Sequence, residues 1–115
     1  MHESRLALQI IQTAENCALE NDAKRVKAVN LVVGEYSGCV AESIKLYFDL
    51  YAEGSLCENA DFNIETVTPM LRCKTCGDLF KREPFTFRCT KENCDGEGEP
   101  TEIGREFYIH SVEIE

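Results

Sequence analysis

The sequence predicts an α+β fold, two helices on a three-stranded β-sheet, with a small cysteine-rich domain inserted ahead of the last strand. Three features of the chain carry this reading. Two segments repeat apolar residues at helical spacing, three others alternate or are rich in β-branched residues, and the stretch from Leu71 to about Gly98 loses both periods while holding four of the seven Cys.

The first helix spans about residues 4–19, where Leu6, Ile10, Ala14 and Cys17 recur with Ala7, Ile11 and Ala18 beside them. "RVKAVNLVVG" follows as a half- to mostly buried strand stopped at Gly34. Ile44, Tyr47, Phe48 and Tyr51 stand at i, i+3, i+4, i+7 and mark a second amphipathic helix, with Gly54 available as its C-cap. Phe62, Ile64 and Thr66 alternate with Asp61, Asn63 and Glu65 until Pro69, giving a second strand. The terminal "REFYIHSVEIE" alternates again as the third. A segment that interrupts a β pattern and returns to it is an excursion with adjacent ends, so residues 1–70 and 103–115 form one α/β domain and residues 71–102 an inserted one. The acidic "CDGEGEP" reads as a flexible turn.

A chain of 115 residues accommodates one ordinary core and a satellite. No apolar run approaches the roughly 20 residues of a membrane helix, and the start lacks a secretory leader, so a cytoplasmic protein with reduced thiols is expected. A net charge of -9 argues against general binding to nucleic acid or anionic membranes. Residues 72–94 run against that balance, with six basic residues and three acidic ones.

Cys73 and Cys76 form C-x2-C; twelve residues on, Cys89 and Cys94 form C-x4-C. Two short chelating loops a hairpin apart bring four thiolates to the corners of a tetrahedron around Zn2+. Such a closed site is structural, because it leaves no coordination position open for chemistry, and it defines the insert as a zinc-ribbon-like domain. Four ordinary thiols are the alternative, but free Cys prefers a core and these stand among charges. A thioredoxin-type redox pair lacks its parallel βαβ setting. Gly77 supplies the permissive backbone of a knuckle turn, "FTFRC" the strand into the second pair, and Phe80, Phe85 and Phe87 the expected small core. Cys17 reads as a core residue, whereas Cys39 and Cys57 carry no legible role.

At the N-terminus, the Met1 amine, the His2 amide nitrogen and the His2 imidazole can close two fused chelate rings around one ion. A nitrogen-rich planar set of this kind selects Ni(II) or Cu(II), and Glu3 is placed to offset the field of the following helix or to orient a ligand. On these residues alone, an exposed terminal His-Glu without function is the more economical reading.

"MHE", "RVKAVNLVVGEYSGCVAESIKLYF", "LRCKTCG" and "REFYIHSVEIE", in this order, resemble the hydrogenase nickel-incorporation proteins of the HypA/HybF family across nearly the whole chain. The resemblance implies a nickel metallochaperone without catalytic residues. It assigns Ni2+, as transported cargo, to Met1, His2 and Glu3, and structural Zn2+ to Cys73, Cys76, Cys89 and Cys94. It implies as partners a GTPase accessory protein and the [NiFe]-hydrogenase large subunit, in some organisms also a urease accessory protein, with the chain a monomer or homodimer. Two features depart from the family pattern. Its second knuckle is usually C-x2-C, whereas "CTKENC" is longer by two, and Cys17, Cys39 and Cys57 match no family ligand.

His110 falls in phase with Tyr108, Val112 and Ile114 on the last strand, which favours a packed or edge-strand histidine over a completing nickel ligand. The alternative function is a zinc-ribbon nucleic-acid or protein-binding module, suggested by the basic insert; zinc-bound thiolates would lower its excess charge to about +1. No nucleophile–base pair or phosphate loop supports an enzyme.

Overall fold

The computed structural model describes residues 2–115, apart from the side chain of His2. Its elements are α1 (His2–Glu20), β1 (Val26–Gly34), α2 (Ala41–Tyr51), β2 (Asp61–Val67), β3 (Leu71–Cys73), β4 (Leu79–Phe80), β5 (Gly98–Pro100) and β6 (Phe107–Ile114). The α+β class, two helices and a sheet of three long strands are as the sequence predicts. α1 begins two residues earlier than its apolar periodicity indicates, because the first turn presents only polar His2, Glu3 and Ser4.

The larger sheet has the order β2-β1-β6, with β1 parallel to β2 and antiparallel to β6. The parallel pair requires a crossover, and α2 supplies it. Val29, Leu31 and Val33 of β1 and Phe62 of β2 face the helices, where they meet Ile10, Ile11 and Ala14 of α1 and Ile44 and Phe48 of α2. Phe48 stacks on Phe62 with ring centroids 4.3 Å apart. Cys57 is fully buried in this core, and Cys39 packs at its edge.

The helices run parallel to each other. Near the start of α1, Glu3 Oε2 accepts the N–H of Val40, the N-cap residue of α2; near its end, Glu15 Oε2 accepts the N–H of Leu56, beyond the end of α2. Both helix N-termini therefore share one corner of the molecule.

β6 does not hold one phase throughout. Its register against β1 shifts between Asn30/Ser111 and Leu31/Ile109, leaving His110 as the extra residue of a β-bulge. Phe107 and Ile109 pack on the core before the bulge, Val112 and Ile114 after it. Tyr108 and His110 thus do not share the face of Val112 and Ile114, which corrects the strict alternation read from the sequence.

The smaller sheet, β4-β3-β5, is antiparallel, and its two ends meet: Leu71 pairs with Pro100 and Cys73 with Gly98. "CDGEGEP" is therefore not a flexible turn, since Gly98–Pro100 is a paired strand. A Cβ on Gly98 would lie 2.5 Å from Cζ of Phe80, so glycine serves packing here. The chain measures 57 × 27 × 16 Å with a radius of gyration of 18.3 Å. About 13 Å is usual at this length. The excess reflects two lobes, each with its own apolar cluster.

Candidate metal centre

Cys73 closes β3, Cys76 follows in the turn leading to β4, and Cys89 and Cys94 flank the turn after the Arg88–Glu97 bridge. Their four sulfurs lie within 4.8 Å of one another. Cys73 Sγ is 3.6 Å from Cys94 Sγ, and Cys76 Sγ 3.8 Å from Cys89 Sγ. A tetrahedron with metal–sulfur distances of about 2.3 Å has edges of about 3.8 Å, so the group already has the size of a four-thiolate metal site.

The backbone is arranged for sulfur anions. The N–H groups of Thr75 and Cys76 both donate to Cys73 Sγ at 3.4 Å, and the N–H of Lys91 donates to Cys89 Sγ at 3.4 Å. The Cys76 amide, with that of Thr75, brings the Cys73 thiol down to about 6 against its burial. At Cys89 the Lys91 amide pulls the same way, but burial and the neighbouring thiols push it up to about 12; Cys94 is raised as well. Four thiols this close ionise together only when a cation joins them.

The added length of "CTKENC" does not disturb convergence. Asn93 adopts φ 65°, where asparagine is tolerated, and the Cys94 N–H closes onto the Lys91 carbonyl at 3.1 Å. Lys91 Nζ reaches Asp78 Oδ2 at 2.9 Å and ties this knuckle to the first. Gly77 has φ 80° with its N–H on the Cys73 carbonyl, as the knuckle reading requires.

Gly96 escaped sequence reasoning. A Cβ there would lie 2.3 Å from Cys73 Sγ, so this glycine lets the backbone pass against a ligand sulfur. Its signal was a second glycine two residues before the one in β5.

The small core differs from expectation. Phe80 is buried, but Phe85 is 99% exposed and Phe87 53%. Leu71, Cys73, Phe80 and Cys89 form the cluster, with Cys76 and Cys94 packed against it, so the sulfurs take the volume that two phenylalanines were expected to fill. Two of the six basic residues in this stretch, Lys74 and Lys91, pair with Glu97 and Asp78.

At the other end of the molecule, Met1 and the His2 side chain lie outside the described residues. Glu3 is half-buried, and its carboxyl is held below the usual range by its own backbone N–H and that of Val40. His110 is exposed on the sheet face turned away from the helices, beside Asn30, Asn63 and Glu65. The bulge turns it away from the sheet face that the helices cover.

The fold and the cysteine centre together define a small metal-binding protein, an α/β lobe joined to a four-cysteine ribbon of the kind that holds zinc. The profile of a family described as hydrogenase/urease nickel incorporation, metallochaperone, hypA matches residues 1–114. A hydrogenase maturation factor HypA of Caldanaerobacter subterraneus subsp. tengcongensis is 35% identical over the full length of both chains. One of Dehalococcoides mccartyi is 30% identical over all of this chain and 95% of its own. Among solved structures, a HypA protein superposes with a TM-score of 0.69 at 27% identity, covering 99% of this chain and 96% of the other. The Ni metallochaperone HypA from Helicobacter pylori does so with a TM-score of 0.63 at 27% identity, covering 97% and 96%. The chain belongs to the HypA family of nickel-incorporation metallochaperones. Among the described residues, no helix is long and apolar enough to cross a membrane.

Proposed function

We propose that this protein binds Ni(II) through its Met1-His2-Glu3 segment and delivers it to the large subunit of a [NiFe]-hydrogenase during maturation. The observation that carries the reading is the family match, which starts at residue 1 and so includes that segment. Residues 1–70 with 103–115 act as the nickel domain. Residues 71–102 act as a structural zinc domain with Cys73, Cys76, Cys89 and Cys94 as ligands, a donor set that suits Zn2+ and leaves it closed to catalysis. The work is cytoplasmic and non-catalytic. Its partners are a GTPase accessory protein and the hydrogenase large subunit, with a urease accessory protein where urease is also supplied.

Backbone placement supports a chelate at the terminus. N–H groups in the first turn of a helix have no intrahelical acceptor, so the His2 amide nitrogen is not committed to the hydrogen-bond ladder of α1. A planar nitrogen set with a deprotonated amide favours Ni(II) over Zn(II). Calorimetric Ni(II) titration of the native chain, of His2→Ala and of a chain extended ahead of Met1 tests the site. Tight binding by the native form alone is expected; equal binding by all three would refute it.

A further inference from the structure

The two lobes meet along a groove that the nickel reading does not use. Its inner part, about 110 Å³, is lined by Tyr36, Met70, Phe87 and Ile103 together with Arg82 and Arg105. Beyond Tyr36, Pro69 and Arg82 it opens into a wider depression of about 240 Å³.

The chain carries 21 acidic and 12 basic residues, yet no carboxylate lines the inner groove. Arg82 lies over the Phe87 ring at 4.4 Å, and its Nε donates to the Thr86 carbonyl at 3.2 Å. Among the described residues, neither Arg82 nor Arg105 forms an ion pair. Beside these cations, Tyr36 is 59% and Phe87 53% exposed. Guanidinium groups without an ion pair, next to aromatic rings that are more than half exposed, suit a carboxylate and an apolar side chain on one occupant.

The walls are held in place by backbone contacts. The Tyr36 N–H donates to the Gly104 carbonyl at 2.7 Å, and Thr101 Oγ1 donates to the Met70 carbonyl at 2.7 Å. Glu35 and Glu83 line the outer depression, which disfavours a uniformly anionic occupant such as nucleic acid.

We propose that this groove docks an extended segment of a partner protein in which an acidic residue stands next to an aromatic or aliphatic one. The carboxylate meets Arg82 and Arg105, and the apolar side chain lies between Tyr36 and Phe87. Docking here involves neither proposed metal site, so its failure would leave the nickel reading untouched.

The test is a titration of the full-length, zinc-loaded and nickel-free protein, followed by heteronuclear NMR. The probes are a capped Gly-Asp-Leu-Phe-Asp-Gly hexapeptide and the same peptide with Lys in place of both Asp. The acidic peptide is expected to shift the resonances of Tyr36, Phe87 and Ile103 and to bind about tenfold more tightly than the lysine peptide, the effect of one favourable charge pair. Arg82→Glu and Arg105→Glu, both at exposed positions, should each weaken it about tenfold with the core resonances unmoved. Equal binding of the two peptides, shifts away from the groove, or indifference to charge reversal would overturn the proposal. Tighter binding of a short single-stranded DNA would do the same.

Discussion

The carboxylate of Glu3 accepts the backbone N–H of Val40 at 3.3 Å, joining the first turn of α1 to the N-cap of α2. Val40 has no side chain that could cap the N–H groups following it, and its own N–H is met by a carboxylate 37 positions earlier in the chain, the part that a Glu in the first turn plays in a capping box. Because the helices are parallel, the positive ends of both dipoles meet at this corner, and a cation placed there would be repelled by both. Glu3 supplies negative charge at that point.

Glu3→Ala should therefore lower Ni(II) affinity by about two- to fivefold, the usual scale of a helix-terminus charge effect. Glu3→Gln keeps an oxygen for the Val40 N–H but loses the charge. It should match the alanine variant in nickel calorimetry while retaining native amide-exchange protection at the start of α2. If Glu3→Gln binds nickel like the native chain, positioning rather than charge is what Glu3 provides.

Removing the metal of the ribbon should act on one lobe. The cluster of Leu71, Cys73, Phe80 and Cys89 is half sulfur and too small to hold three short strands by apolar burial alone. Treatment with a strong chelator, or Cys76→Ser, should leave residues 71–100 exchanging at unprotected rates while β1, β2 and β6 stay protected. Loss of protection across both sheets would show that the lobes fold as one unit.

The long elements were legible because each has an uninterrupted period: Ile10, Ala14 and Ala18 on α1, Val29, Leu31 and Val33 on β1. The metal centre was legible because chelation fixes spacing, and it tolerated two extra residues through the left-handed conformation of Asn93. What failed depends on contacts distant in sequence. Phe85 and Phe87 resemble core residues until the ligand sulfurs take their place, and one bulge at His110 reverses the phase of a strand that alternates on paper. The Glu3–Val40 contact left no pattern in the sequence, since neither residue predicts the parallel packing that brings them together.

Gly34 stops β1 for a reason that periodicity does not convey. A Cβ there would lie 2.1 Å from the Gly104 carbonyl oxygen and 2.7 Å from the Arg105 nitrogen, both backbone atoms that cannot rotate aside. Gly104 has φ 102°, and its own Cβ would stand 2.7 Å from Pro69 Cα. Gly34→Ala should accordingly lower unfolding free energy by about 3 kcal/mol or more in denaturant titration, far beyond a helix-propensity effect. Gly54→Ala, at positive φ (77°) as Gly104 is but with open space around its Cβ, should cost only about 1 kcal/mol.

Cys57 gives the pH dependence a defined sign. Burial, and after it the charge of Glu15, push its thiol up to about 11 from an ordinary 9.0, with the Ser55 hydroxyl pulling slightly the other way. Between these values the unfolded chain has released the proton and the folded chain has kept it. The folded state therefore binds more protons, and stability must fall as pH rises from about 9 to about 11, by at most about 1.4 kcal/mol per pH unit from this group. Cys57→Ala should cost about 1 kcal/mol at pH 7 through the small cavity it leaves, yet flatten the alkaline slope relative to the native chain. Chemical labelling reports the same group independently. At pH 8 the raised thiol leaves much less thiolate at Cys57 in the folded state than in the unfolded chain, so iodoacetamide should modify Cys57 at least about tenfold more slowly than in urea-unfolded protein. Matching rates in the two states would mean that this thiol is not enclosed by the core.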